Sequence, residues 1–281
     1  MKKIVFVFVI VMGFVCNSFA QYQGKIEVYK YADMTLHSYA SAEEMGDVSF
    51  IIEGKDGLIV LEQQSFFNSI KDFGNYLKTL GKPVVKVVSS YHSGGLNAWD
   101  SSLVVMIEGM PEFEKGEMAQ KMMKGFAERF GGKMDTRPHA ETGVIPADSK
   151  QTWAGIDLQF VPAPSTSAFP AADIIIADKV FYTHSAPTIS HIRGIRDRET
   201  IDKQLDYLKG IKNSGCELVV GSHGVAGRMD VVDFQITYLE RMKKLLDTAT
   251  SKEEFVAGMK DSFSGLPEER NLNATAANLY N

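Results

Sequence analysis

Apolar residues along this chain fall into two rhythms. Short, nearly continuous apolar runs at 48–53, 58–62 and 83–88, bounded by Gly, Ser or Asp, predict buried strands. Gly54-Lys55-Asp56-Gly57 between the first two predicts a hairpin. Phe66, Phe67, Ile70, Phe73, Leu77 and Leu80 follow helical spacing, with Ser65 as the expected N-cap and Gly81 as the stop. A strand is expected at 103–107 and a helix over 113–130, ended by Gly131-Gly132. Its Met118, Met122 and Met123 read as packing residues. The second half repeats the alternation: strands at 156–161, 173–177 and 180–183, with a hairpin at Asp178-Lys179. A helix over 200–213, a strand at 218–220 and a helix over 231–247 follow. Ser251-Lys252-Glu253-Glu254 has capping-box spacing and opens a last helix. Hairpins mixed with β-α-β passages in two similar halves predict mixed sheets covered by helices.

The N-terminus departs from both rhythms. Met1-Lys2-Lys3 precedes an apolar stretch from Ile4 to Val15, then Ser18-Phe19-Ala20. A positive start, an apolar core and an A-x-A-like site predict a signal peptide over 1–20, and hence export to a periplasm or the exterior. The alternative is an uncleaved anchor, but the apolar core is short for a membrane span. Removing Lys2 and Lys3 with the leader makes the chain more acidic than its net −5. No basic stripe argues for nucleic acid or an anionic membrane surface. Of two cysteines only Cys216 lies beyond the leader, so an intramolecular disulfide is excluded from the mature chain. No linker or low-complexity tract divides residues 21–281, which are read as one domain with a C-terminal helical extension.

Candidate chemistry gathers where strands end. Of six histidines, three directly follow apolar strands: His92 in Ser89-Ser90-Tyr91-His92-Ser93-Gly94-Gly95, His184 in Phe181-Tyr182-Thr183-His184, and His223 in Gly221-Ser222-His223-Gly224. Open α/β folds collect ligands at the carboxyl ends of strands. Three imidazoles meeting at one sheet edge can hold zinc and leave a fourth position open. Each alone reads more often as a hydrogen-bonded structural residue than as a ligand. His37, His139 and His191 have no comparable setting and read as surface or structural. Ser89, Ser90 and Ser93 beside His92 raise a Ser–His pair, but no G-x-S-x-G elbow is present.

Taken in order, these segments resemble the metallo-β-lactamase superfamily from about residue 45 to 245. Residues 48–62 resemble its opening hairpin, with Glu62 where the strand usually ends in Asp. Residues 87–95 resemble the H-x-H-x-D-H-x-G-G loop. Val161-Pro162-Ala163-Pro164-Ser165-Thr166 resembles the P-G-H-T segment, 179–185 the strand ending in Gly-Asp, and 218–224 the V-V-P-G-H-G segment. The resemblance implies an α/β fold of the α+β type: a four-layered αβ/βα sandwich of two mixed sheets flanked by helices, with the site at the sheet edges.

It also implies a depleted metal centre. With His92 as the loop's last His, Tyr91 takes the Asp position, Val87 and Ser89 the first two His positions, and Pro164 the His of P-G-H-T. One metal site is then erased. The other retains His92 and His223, with His184 or Ser185 at the bridging position. A deletion in the loop would instead match His92 to the erased site.

The resulting expectation is an exported hydrolase-like protein with at most one divalent metal, zinc first, held by His92, His184 and His223. It would act on an ester, amide or related bond of an unidentified small substrate. Tyr91 and His92 are the candidate catalytic residues, Tyr91 as a donor to water or an oxyanion. No carboxylate stands in the loop as a general base. The alternative is a metal-free, inactive relative that binds a ligand or partner. Metal-independent catalysis by His92 with a neighbouring Ser or Tyr ranks last.

Overall fold

Two mixed sheets carry the molecule, each with antiparallel and parallel pairings. The computed structural model describes residues 23–165 and 167–280. The leader expected at 1–20 and Thr166 of the 161–166 segment lie outside them.

The first sheet runs in chain order. β1 (Lys25–Lys30), β2 (Thr35–Ala40), β3 (Val48–Glu53) and β4 (Leu58–Leu61) form an antiparallel meander. β5 (Val84–Ser89), β6 (Val104–Ile107) and β7 (Gly143–Ile145) continue it in parallel. β4 and β6 are buried along their whole length, so their apolar runs are unbroken rather than alternating. The second sheet contains β8 (Lys150–Trp153), β9 (Ile156–Pro162), β10 (Ala172–Ile176), β11 (Val180–Ser185), β12 (Leu218–His223) and β13 (Gly227–Arg228). Ala177 and Asp178 turn the β10–β11 hairpin with positive φ. β11 and β12 are parallel, with Thr183 opposite Gly221 and Ser185 opposite His223.

Among the described residues seven α-helices flank the sheets: α1 (Phe67–Thr79), α2 (Met110–Lys115), α3 (Glu117–Phe130), α4 (Arg198–Asn213), α5 (Met229–Leu246), α6 (Lys252–Ser262) and α7 (Glu269–Leu279). Side chains of both sheets share one core, where Phe50 of β3 meets Tyr182 of β11 edge to face. Phe181 and Val219 point into a separate core built with α4 to α7. This alternation of faces along β11 and β12 is the period of two in a strand. Among the described residues no helix is long and apolar enough to cross a membrane.

Three local expectations are corrected. The helix expected over 113–130 is two helices, because Gly116 adopts an extended conformation between them. β1 and β2, absent from the sequence reading, extend the first sheet by two strands. Ser65 does not cap α1: the N-cap is Phe66, without a side-chain cap bond. Ser65 is instead buried, and its carbonyl accepts from the Asp135 N–H at 2.8 Å.

Candidate metal centre

β5 ends at Ser89, and the chain turns at once into the His92 loop. Glu62, directly after β4, dictates that turn. Its Oε1 accepts the N–H groups of Ser90 (3.1 Å) and Tyr91 (2.7 Å), and its Oε2 that of His92 (3.0 Å). The Tyr182 hydroxyl donates to Oε1 at 2.7 Å. A buried carboxylate thus satisfies three successive amides that a tight turn leaves without partners. Burial pushes Glu62 up to about 7 against these donors.

Ser90 Oγ stitches the loop to the second sheet, donating to the Ala172 carbonyl at 2.6 Å and accepting from its N–H at 3.1 Å. Ser89 Oγ donates to the His92 carbonyl at 2.5 Å. Both hydroxyls are committed to backbone and fully buried, which removes them as nucleophiles. Gly95 closes the loop at φ +82°, where a Cβ would stand 2.0 Å from the Gln64 carbonyl oxygen. Gly95→Ala therefore meets both a left-handed backbone and a backbone clash. The expected cost is about 3 kcal/mol, about 6–12 °C in thermal midpoint. A melting curve within 2 °C of wild type, by the same ~3 kcal/mol reasoning, would refute the clash.

The ends of β5, β11 and β12 bring the imidazoles of His92, His184 and His223 together, with one ring nitrogen of each within 4.8 Å of the others. His92 Nε2 and His184 Nε2 are 3.2 Å apart. Ligands at about 2.0–2.1 Å on a tetrahedral ion stand at nearly this separation. Behind His223, Asp47 Oδ1 lies 3.6 Å from Nδ1; behind His92, Glu62 Oε2 lies 3.9 Å from Nδ1. Asp47 Oδ1 is buried and has no hydrogen-bond partner among the described residues. His184 stacks flat on Tyr91, with centroids 4.7 Å apart, and meets Phe169 edge-on. Ser185, the alternative to His184, is exposed.

Burial and the other two imidazoles hold His92 well below the usual histidine range. Burial, with His223 and Arg193 adding, brings His184 down to about 4. Burial also lowers His223. All three are therefore neutral at pH 7, the form that ligates metal. Asp47 moves the other way, pushed up to about 7 by burial with Glu43 and Glu62 adding.

The positions read as erased offer no ligands. Val87 is fully buried in the core, and Ser89 is bound to His92. Tyr91 is 2% exposed, and its hydroxyl donates to Asp173 Oδ1 at 2.7 Å. Asp173 also accepts from Tyr207 at 2.6 Å. The phenol is therefore committed to Asp173, and the oxyanion role expected of Tyr91 does not match its place. Tyr91 presents a ring to His184, not a free donor. His37 bonds Tyr76 and Glu53, and His191 bonds Tyr238, both as structural residues.

Sequence reasoning missed Asp47 and the latch role of Glu62. The signal for Asp47 was a carboxylate placed directly before a largely apolar strand. It also misjudged the methionines. Met122 and Met123 line a cavity of about 660 Å³ that opens from the three imidazoles, together with Phe113 and Phe169. Met118 is 62% exposed. His139, facing the same cavity, pairs with Glu114 at 3.0 Å.

No protein-family model and no curated protein matches the chain. Solved structures do. The DIM-1 metallo-β-lactamase is 13% identical, with a TM-score of 0.51 over 77% of this chain and 97% of that one. The stereoselective inverting sec-alkylsulfatase Pisa1 from Pseudomonas sp. is 16% identical, with a TM-score of 0.57 over 91% of this chain. The match spans 50% of the alkylsulfatase's own length. The chain thus has the metallo-β-lactamase fold, as the ordered motifs implied.

Proposed function

We propose that this protein is an exported hydrolase with a single divalent metal, zinc, held by His92, His184 and His223. The observation that carries the reading is the set of three neutral imidazoles within 4.8 Å, two of them with a carboxylate behind Nδ1. Metal-ligating histidines characteristically donate their second ring N–H to such a carboxylate, which fixes tautomer and orientation. The partnerless Oδ1 of Asp47 fits that demand: with the proton on His223 Nδ1, Nε2 is left free to ligate. When bound, such an ion supplies Lewis acidity and activates water near neutral pH.

The chain's own residues supply the rest. Glu62 holds the His92 backbone, and Tyr91 and Phe169 fix the plane of the His184 ring. The largely apolar cavity beside the imidazoles offers room for the substrate, whose reacting bond is an ester, amide or related linkage. The leader-like residues 1–20 support export.

Metal analysis of zinc-loaded, desalted protein tests the reading. The expected result is one zinc per chain, a raised melting temperature and reversal of both by a chelator. Protein that retains no zinc overturns it and leaves the metal-free binding protein as the surviving alternative.

A further inference from the structure

The cavity beside the imidazoles has a composition that hydrolysis of a small polar substrate does not require. Six of the chain's thirteen methionines line it: Met45, Met106, Met110, Met122, Met123 and Met134. They come from the loop before β3, from β6, from α2 and α3, and from the segment after α3. Only Met106, Met110 and Met134 are buried by the protein itself. Met45, Met122 and Met123 remain partly exposed, so water is held against large apolar side chains.

Methionine is unbranched, has three rotatable bonds and adapts to irregular apolar partners. Such a wall suits an unbranched, flexible chain better than a rigid ring system. The volume, about 660 Å³, lies within the range of sites that bury a ligand of drug size. α3, which carries Met122 and Met123, is anchored through Phe130 packed on Phe66 and Met134, a small cluster separate from both main cores.

We infer that the natural ligand is an amphiphile: a long, unbranched aliphatic chain seated among these methionines, with its hydrolysable polar head at His92, His184 and His223. The head's place rests on the metal-site reading above; the chain's place rests on the chamber alone.

The test is calorimetric titration of metal-free protein with hexanoate, octanoate, decanoate and dodecanoate. The head group is constant, so the series reads the chain. Burial of each added methylene is expected to tighten binding about fourfold until the chamber is full. In protein carrying ¹³C-labelled methionine methyls, dodecanoate is expected to shift Met45, Met106, Met110, Met122, Met123 and Met134. Met34, Met242 and Met259, buried in the main cores, serve as the unmoved controls. Met123→Lys, on partly exposed α3, is expected to flatten the chain-length slope, with its melting curve confirming the fold. Affinity independent of chain length, or shifts confined to the controls, overturns the proposal. Because everything is read without metal, a failed zinc assay leaves a positive slope standing, and a flat series leaves the zinc site standing.

Discussion

Alanine at Glu62 is expected to lower the thermal midpoint by about 10 °C or more, the largest stability effect of any single polar side chain near the site. The substitution strands the N–H groups of Ser90, Tyr91 and His92, in a loop whose first two residues are almost completely enclosed. Each unsatisfied buried donor costs about 1–3 kcal/mol. The Tyr182 hydroxyl is cushioned, because Ser222 Oγ also lies 2.5 Å away. Relief of the buried charge offsets part of the total. Glu62→Gln separates the terms. It keeps an oxygen for Ser90, Tyr91 and Tyr182 but sets an amide donor against the His92 N–H. Its expected loss is about 1–3 kcal/mol, less than half that of alanine. Thermal denaturation of the two variants decides the matter. Equal losses would overturn this partition, because glutamine keeps the bulk and one acceptor and would then have preserved nothing that alanine removes.

The second large effect concerns metal affinity. His184→Ala is expected to weaken zinc binding more than about a hundredfold, beyond the ~10–100-fold typical when only an outer carboxylate is lost. Asp47→Asn should fall inside that ~10–100-fold range, because it leaves all three imidazoles and removes only the acceptor behind His223. Competition against a chromogenic chelator measures both. If Asp47→Asn matched His184→Ala, Asp47 would be a ligand in its own right. If neither changed affinity, the zinc would lie elsewhere. Melting curves keep the reading clean, since removing His184 opens a gap between Tyr91 and Phe169.

The strands that position the imidazoles were legible in the sequence for a simple reason. Buried strands covered on both faces leave continuous apolar runs, as β4 and β6 do, and the shorter runs Val87-Val88 in β5 and Leu218-Val219-Val220 in β12 lead into the histidine loops. β1 and β2 were not legible: Lys25–Lys30 and Thr35–Ala40 mix polar and apolar residues on an outer part of the sheet. The break at Gly116 was hidden because apolar spacing continues across it from α2 into α3.

Within the site, linear spacing identified which side chains stand at strand ends but not what they meet. Tyr91 was placed correctly along the chain, yet its hydroxyl is claimed by Asp173, 82 residues away. Glu62 meets His92 through the pairing of β4 with β5, and Asp47 meets His223 across the two sheets, so their roles follow from packing between elements and not from local spacing. The methionines were ambiguous by nature. The same side chain that fills a core also lines a chamber, and only the three-dimensional arrangement distinguishes the two.

The long reach of these contacts has a consequence for the order in which the molecule assembles. His92 and His184 are 92 residues apart, and Glu62 and Tyr182 are 120 apart. Pairings of such separation form after local structure, since the chain entropy of closing the loop must be overcome first. β12, which supplies His223, cannot join β11 until α4 has been traversed. A partly synthesised or still-threading chain therefore has no place for an ion, however well its first sheet has formed. On the metal-site reading proposed above, capture of an ion would belong to the last act of folding, in whichever compartment that act takes place.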